Sequence, residues 1–305
     1  MKKIIILMGG FSEEREVSLV TGEQIAKELE NIYQIKKIDP KEYSSYHLMM
    51  EEIIEFDPML VFIALHGAEG EDGRIQAYLS LHNIKFTGSG YRASALAMDK
   101  IISSKIAKSV DVPVANKIIY EKSHTIDKEI ACQLGFPLVI KPNESGSSFG
   151  ISIIHHENDI ENAIEFAFKY SDKIICEQFI PGRELTVTII DNVAYPVVEV
   201  KPKSGWYDYQ NKYTKGNTIY EVPAKLSVTE EKVIKEYALK IYKAFGCEIY
   251  SRVDFRYNGE EFYFLEVNTL PGMTALSLTP MAAKEAGISF GDLLKKIIDL
   301  SILRC

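Results

Sequence analysis

Ser251-Arg252-Val253-Asp254-Phe255-Arg256-Tyr257-Asn258-Gly259-Glu260-Glu261-Phe262-Tyr263-Phe264-Leu265-Glu266-Val267-Asn268 is the stretch whose reading decides the fold. Aromatic and β-branched residues on both sides of Asn258-Gly259 are the signature of two strands and a turn. Asp254, Glu266 and Asn268 place oxygen donors on those strands, the ligand chemistry that Mg²⁺ prefers. Side chains alternate faces along a strand, so the register decides whether these donors meet. A two-residue Asn258-Gly259 loop pairs Asp254 with Tyr263 and turns Glu266 to the opposite face. A three-residue loop, Tyr257-Asn258-Gly259 with Gly259 left-handed beside a bulge, gathers Asp254, Glu266 and Asn268 on one face together with Arg252. The odd-length loop is expected. Scattered charges on an exposed edge are the plainer interpretation. Phe262, Phe264 and Leu265 argue against it, because a carboxylate among residues that seek burial needs a cation beside it.

Working outward, 305 residues can hold about two or three domains of ordinary size. A hydrophobic content of 46% with 26% charged residues is that of a soluble globular chain. The net charge of -8 excludes general affinity for DNA, RNA or an anionic membrane, though a few placed lysines could still hold a small polyanion. Cys132, Cys176, Cys247 and Cys305 are too dispersed for a zinc site or disulfide framework, and Cys176 in the apolar run 174–179 reads as core. Met1-Lys2-Lys3 before Ile4 to Met8 mimics a signal peptide, but the run is short and leads into Gly9-Gly10, so it reads as a first strand. No segment is long enough to span a membrane. The cytoplasm is the expected compartment.

The front of the chain alternates strand and helix: Ile4 to Met8, Ser18 to Leu29, Met59 to Leu65, Gly73 to Leu81 and Ile84 to Thr87. That is the pattern of a doubly wound α/β unit. From about Tyr91 the pattern changes. A helix from Ala93 to Val110 leads into strands 117–120, 138–141, 151–154 and 173–179 with short helices between, the pattern of a small α+β domain. A larger α+β region follows Pro181-Gly182, with a polar and aromatic loop over 202–220 and a helix over 229–245.

Two further segments bear on chemistry. Lys141-Pro142-Asn143-Glu144-Ser145-Gly146-Ser147-Ser148-Phe149-Gly150 joins two strands by a Gly/Ser-rich loop whose N–H groups could wrap phosphate oxygens. Lys141 adds a point charge, and Glu144 must point away for this to work. A surface hairpin is the competing interpretation. In Cys176-Glu177-Gln178-Phe179-Ile180-Pro181-Gly182-Arg183-Glu184 a strand passes from one domain to the next. Such a connector can offer backbone groups to an adenine edge and a carboxylate to a ribose, or be a plain linker.

Further strings complete the set: Glu13-Glu14-Arg15-Glu16-Val17-Ser18, Leu65-His66-Gly67 with Gly70-Glu71-Asp72-Gly73, and Gly88-Ser89-Gly90 before Ala95 to Lys100. Tyr207-Asp208-Tyr209 with Lys212-Tyr213, and Glu266-Val267-Asn268-Thr269-Leu270-Pro271-Gly272-Met273, follow them. In this order they resemble the ATP-grasp superfamily, and over almost the whole chain they resemble its D-alanine–D-alanine ligase family. The resemblance implies an N-terminal α/β domain (1–90), a small central α+β domain (91–183) and a C-terminal α+β domain (184–305) carrying the metal site and closing loop. ATP would lie between the last two.

It also implies roles. Lys100 and Lys141 would meet the α- and β-phosphates, with Ser147 and Ser148 in the phosphate loop. Glu177 and Ile180 would form the adenine hinge and Glu184 the ribose contact. Asp254, Glu266 and Asn268 would ligate two Mg²⁺ ions, with Mn²⁺ the alternative. Glu14 would receive the ammonium of the first D-alanine, with His66 nearby, and Ser277 with the Leu278 backbone would clamp the second substrate's carboxylate. Tyr213, Ser147 and Glu14 would bridge the closed loop. Lys212 would assist phosphoryl transfer to the first carboxylate, and Arg252 with backbone near Gly272 would stabilise the oxyanion of the second step. Ile219, Arg74 and Phe149 depart from the family pattern, Ile219 within the closing loop. A homodimer is expected. The competing functions are a D-alanine–D-lactate ligase, against which Tyr213 counts, and a nucleotide-binding regulator without turnover.

Overall fold

Strand β1 (Lys3–Leu7) is apolar and wholly buried from Ile4 onward, the position of a central parallel strand. It pairs in parallel with β2 (Gln34–Ile38) and β3 (Leu60–Ile63), in the order β2-β1-β3. Helices α1 (Arg15–Leu29), α2 (Tyr46–Phe56) and α3 (Arg74–Leu81) alternate with these strands. The strand expected at Ile84 to Thr87 is reduced to one parallel bridge between Phe86 and Val61. The computed structural model describes residues 1–123, 128–146, 149–203, 205, 214 and 216–304.

The single helix expected from Ala93 to Val110 is two: α4 (Tyr91–Met98) and α5 (Lys100–Ser109). Asp99 is extended between them and caps the second, its Oδ1 accepting from Ile102 N at 2.8 Å. That break puts Lys100 at the first turn of α5. Asn143, from the far end of another strand, reinforces the cap through a bond from Ile101 N at 2.9 Å.

Strands β4 (Lys117–Glu121), β5 (Leu138–Pro142), β6 (Ser152–Ile154) and β7 (Lys173–Gln178) form an antiparallel sheet in the order β4-β7-β5-β6. Its apolar face, with Leu138, Ile140, Ile174 and Cys176, packs against α6 (Lys128–Cys132) and α7 (Ile160–Ala167). The opposite face carries Lys117, Val139, Lys141 and Glu177.

The third sheet comprises β8 (Arg183–Ile190), β9 (Val193–Ala194), β10 (Val198–Pro202), β11 (Thr218–Glu221), β12 (Tyr250–Tyr257) and β13 (Phe262–Asn268), in the order β11-β10-β8-β12-β13 with β9 on β8. Helix α8 (Val228–Ala244) covers the face bearing Leu185, Val187, Val253, Phe255, Phe264 and Val267. Helices α9 (Leu278–Glu285) and α10 (Phe290–Leu303) follow the hairpin.

The hairpin corrects the expectation about its loop. Tyr257 pairs with Phe262, so the loop is the four residues 258–261, an even number. Asn258 Oδ1 holds that turn by accepting from Glu260 N at 2.9 Å and Glu261 N at 2.8 Å, with Gly259 at φ +101°. The donors still share a face, for a different reason. The register shifts between the pairs Phe255–Phe264 and Asp254–Glu266, leaving Leu265 as a bulge residue, and this one-residue slip carries Glu266 round to Asp254.

Two of the buried clusters draw on more than one of the expected ranges. Ala93, Ala97, Ala107 and Val112 join the core under β8, β12 and β13, because the small residues of α4 and α5 pack on β13. Leu293, Leu294, Ile297 and Ile298 of α10 return to the first sheet and complete its core. Among the described residues no helix is long and apolar enough to cross a membrane.

Candidate active site

The polar face of the β4–β7 sheet and the polar face of the third sheet confront each other across a cleft. Lys141 and Glu177 line one wall, Glu184, Thr186, Asp254, Arg256 and Glu266 the other, and Gln178 to Ile180 close its end. A second cleft opens toward the parallel sheet, lined by Glu14, His66, Gly146, Asn268, Gly272 and Ser277. Lys100, Ser145, Arg252, Glu266 and Leu278 line both, so the two clefts meet there.

Asp254 is buried and densely hydrogen-bonded at this junction. Arg252 Nε and Nη2 donate to its two oxygens at 2.8 Å each, Asn268 Nδ2 donates at 3.1 Å, and Thr186 Oγ1 donates at 2.5 Å. Asp254 faces Glu266 across the strands and Arg252 faces Asn268. The expected donor set is thus brought together. Two carboxylates and an amide are a hard-oxygen set, and Mg²⁺ is commonly held by one or two carboxylates with phosphate oxygens and water supplying the rest. Among the described residues no group of three His, Cys, Asp or Glu side chains forms a self-sufficient metal site. The donor chemistry of the set fits Mg²⁺.

Lys141, at the end of β5, is buried with its Nζ 2.5 Å from Glu177 Oε1. Glu177 is enclosed too. Burial raises its pKa, but Lys141 and Lys117 outweigh that and hold the carboxyl below its usual range. Lys100 Nζ donates to Ser145 O at 2.5 Å, tying the first turn of α5 to the Gly/Ser loop, and Glu144 is exposed as the loop reading requires. Ser147 and Ser148 of that loop, and Lys212 and Tyr213 of the closing loop, lie outside the described residues.

Ile180 is buried in the connector. Arg256 holds this segment, donating to Ile180 O at 3.1 Å and Gly182 O at 2.9 Å, and sits 3.6 Å from Glu184 Oε2. Glu14 is buried at the start of α1, where a methyl added at Gly146 or Gly67 would lie 2.8 or 2.9 Å from its Oε2. His66 is buried between Thr21 Oγ1, 3.2 Å from Nε2, and Glu71 Oε1, 3.3 Å from Nδ1. Ser277 occupies the N-cap of α9, with its Oγ 2.8 Å from Thr274 Oγ1 and 3.0 Å from where a methyl on Gly272 would sit.

Sequence reasoning passed over Lys117, Thr186, Arg256 and Glu71. Arg256 could have been found, since it continues the alternation of Arg252 and Asp254. Lys117 and Thr186 meet the site only through pairing between segments distant in sequence, whereas Glu71 reaches His66 within one short segment and is quoted above without a role.

With this geometry in view, comparison with known proteins is specific. A family profile for the D-ala D-ala ligase C-terminus matches residues 106–299. The D-alanine–D-alanine ligase of Syntrophotalea carbinolica is 41% identical, over 99% of this chain and 97% of its own. The crystal structure of the D-alanine–D-alanine ligase of Bacillus anthracis complexed with ATP superposes with a TM-score of 0.85 at 32% identity, covering 99% of this chain and 97% of that one. The VanG D-Ala:D-Ser ligase of Enterococcus faecalis superposes with a TM-score of 0.83 at 32% identity, covering 98% and 99%. The ATP-grasp architecture expected from the sequence holds along the chain. By profile, by identity from end to end and by fold, the chain belongs to the D-alanine–D-alanine ligase family.

Proposed function

We infer that the chain is an ATP-dependent ligase that joins two D-alanine molecules into D-alanyl-D-alanine, with ADP and phosphate as the other products. The observation that carries this reading is the meeting of the two clefts at Arg252 and Glu266. A nucleotide in the first cleft and an amino acid in the second would touch at that junction and nowhere else along the described walls.

The chemistry divides between the walls. Lys100 and Lys141, with the Ser147-Ser148 loop, receive the phosphates, while the connector at Glu177 and Ile180 receives the base and Glu184 the ribose. Asp254, Glu266 and Asn268 would hold two Mg²⁺ ions, which would supply neutralising charge to the transferred phosphoryl group. Glu14, with His66 beside it, receives the first D-alanine's ammonium and leaves its carboxylate to attack the γ-phosphorus, giving an acyl phosphate and ADP. Lys212 adds positive charge to that transfer. Ser277 and the Leu278 backbone hold the second D-alanine's carboxylate, so that its amine reaches the acyl carbon. Arg252 and backbone N–H groups near Gly272 then stabilise the oxyanion before phosphate leaves. Water would hydrolyse the acyl phosphate, so the reaction calls for a cover, for which Tyr213, Ser147 and Glu14 would be the bridge.

The dipeptide would supply the terminus of peptidoglycan precursors, made in the cytoplasm by a homodimer. The test is phosphate release from ATP with D-alanine added or withheld, and mass spectrometry of the product. D-alanyl-D-alanine formed only in the complete mixture supports the reading. Absence of phosphate release with D-alanine added or withheld overturns it in favour of a regulator without turnover. Preferential capture of D-lactate or D-serine as second substrate overturns D-alanyl-D-alanine as the product and leaves the ligase reading standing. Light scattering at working concentration tests the dimer, which a monomeric mass would remove.

A further inference from the structure

Strand β4 carries a cation to which the reading above gives no part. Lys117 stands directly opposite Glu177 of β7, and Val139 of β5 flanks Glu177 on the other side. Its Nζ lies 3.2 Å from Glu177 Oε2, while Lys141 Nζ lies 2.5 Å from Oε1. One carboxylate is therefore gripped between two ammonium groups on the sheet face that walls the nucleotide cleft. Lys117, Glu177 and Lys141 are only 16%, 6% and 9% exposed at their side chains. Lys141 and Glu177 line the cleft, and Lys117 flanks Glu177 on the edge strand of the same sheet face.

The charge count decides what this arrangement can do. A buried Lys141–Glu177 pair by itself is neutral, and its ammonium is committed to its carboxylate. With Lys117 added, two positive charges share one negative, leaving a net single positive charge where water screens little. Such a cluster is stabilised by an anion. Burial lowers the pKa of Lys117, and Lys141 adds to the depression while Glu177 opposes it, as expected where like charges are crowded.

We propose that Lys117 is a positioning residue for nucleotide binding: by taking one oxygen of Glu177, it leaves Lys141 with uncompensated charge and spare N–H donors for phosphate oxygens. The inference rests on the reading that Lys141 faces the nucleotide's phosphates. It requires no contact between Lys117 and ATP.

The test is steady-state kinetics on the full chain with ATP and D-alanine varied separately, for the wild type, Lys117→Met and Lys117→Arg, with thermal melts of each. Lys117→Met is expected to raise KM for ATP about tenfold, the order expected when one charge is removed beside a phosphate site of low dielectric. Turnover at saturating ATP and KM for D-alanine stay within about twofold, and Lys117→Arg restores KM for ATP because guanidinium keeps the charge. An unchanged KM for ATP in Lys117→Met overturns the proposal. So do parallel losses in turnover and both KM values with a lowered melting temperature, which would mark a merely structural lysine. If Lys117→Met does not fold, Lys117→Gln decides on the same criterion, since it keeps an N–H donor without the charge. Failure of the ligase reading looks different, because the wild type itself would then release no phosphate in response to D-alanine.

Discussion

Gly146→Ala tests how tightly the two clefts are coupled. Gly146 does not have the positive φ that would exclude alanine, so the backbone accepts the change and only the added methyl matters. That methyl would sit 2.8 Å from Glu14 Oε2, whereas ordinary contact begins at 3.4 Å. The carboxylate must move by about 0.6 Å, and a misplacement of about 1 Å at a reacting centre costs about a hundredfold in rate. Glu14 has little room to back away, because its side chain is buried. Scaling the logarithm of the cost to the shift gives about sixteenfold, or about 1.6 kcal/mol, in kcat/KM for D-alanine. The assay is coupled detection of ADP at saturating ATP with D-alanine varied. A kcat/KM within about threefold of wild type would refute the reasoning, since it would mean that Glu14 moves freely or does not touch the substrate. A loss expressed wholly in KM for ATP would assign the contact to the phosphate loop instead.

Glu266→Gln keeps the shape of the side chain and removes its charge; turnover should fall at least about a hundredfold with the melting temperature unchanged, and near-normal activity would take Glu266 out of the metal set. Thr186→Val deletes the 2.5 Å hydroxyl bond to Asp254, a buried charge-assisted bond worth about 1.5–3 kcal/mol, and should raise the Mg²⁺ concentration needed for half-maximal activity. An unaltered Mg²⁺ requirement counts against Asp254 as a ligand. Phe264→Ala should cost about 3–5 kcal/mol in chemical denaturation, because the ring packs 6.3 and 6.5 Å from Phe245 and Phe255 beneath the hairpin; a loss under about 1 kcal/mol would show that the core closes over the gap. Hydrogen bonds from the Tyr257 hydroxyl and Ser227 hold the Glu230 carboxyl at about 2, below its ordinary 4.5. A depressed carboxyl contributes stability above its unfolded value and loses it as pH falls toward its folded one. Wild-type stability should therefore drop between pH 4.5 and about 2, and Tyr257→Phe should flatten that drop; identical acid profiles would refute the coupling.

Much of the candidate site was legible because its chemistry sits in short local strings. Asp254 and the Glu266-Val267-Asn268 string announce oxygen donors, Lys141 and the following glycines and serines announce an anion loop, and their order along the chain suffices to suggest the architecture. Local strings cannot carry information about pairing. In the hairpin, the expectation reached the right face through the wrong device, since an odd loop and a mid-strand bulge both change parity and the sequence contains glycine and asparagine for the first. Asp99 looks like one more polar residue in a long helix until Asn143, more than forty positions away, completes the cap on α5.

The sequence by itself determined which functional groups the molecule owns and the rough order of strands and helices that bear them, because side-chain identity and hydrophobic period are local properties. Tertiary structure decided the rest: that Leu265 bulges and brings Glu266 opposite Asp254, that α10 returns to the first core, and that Lys117 shares Glu177 with Lys141. The physical reason is that strand side chains repeat every two residues, so a single-residue slip anywhere reverses a face, and only the packing of whole sheets selects among slips that are locally equivalent.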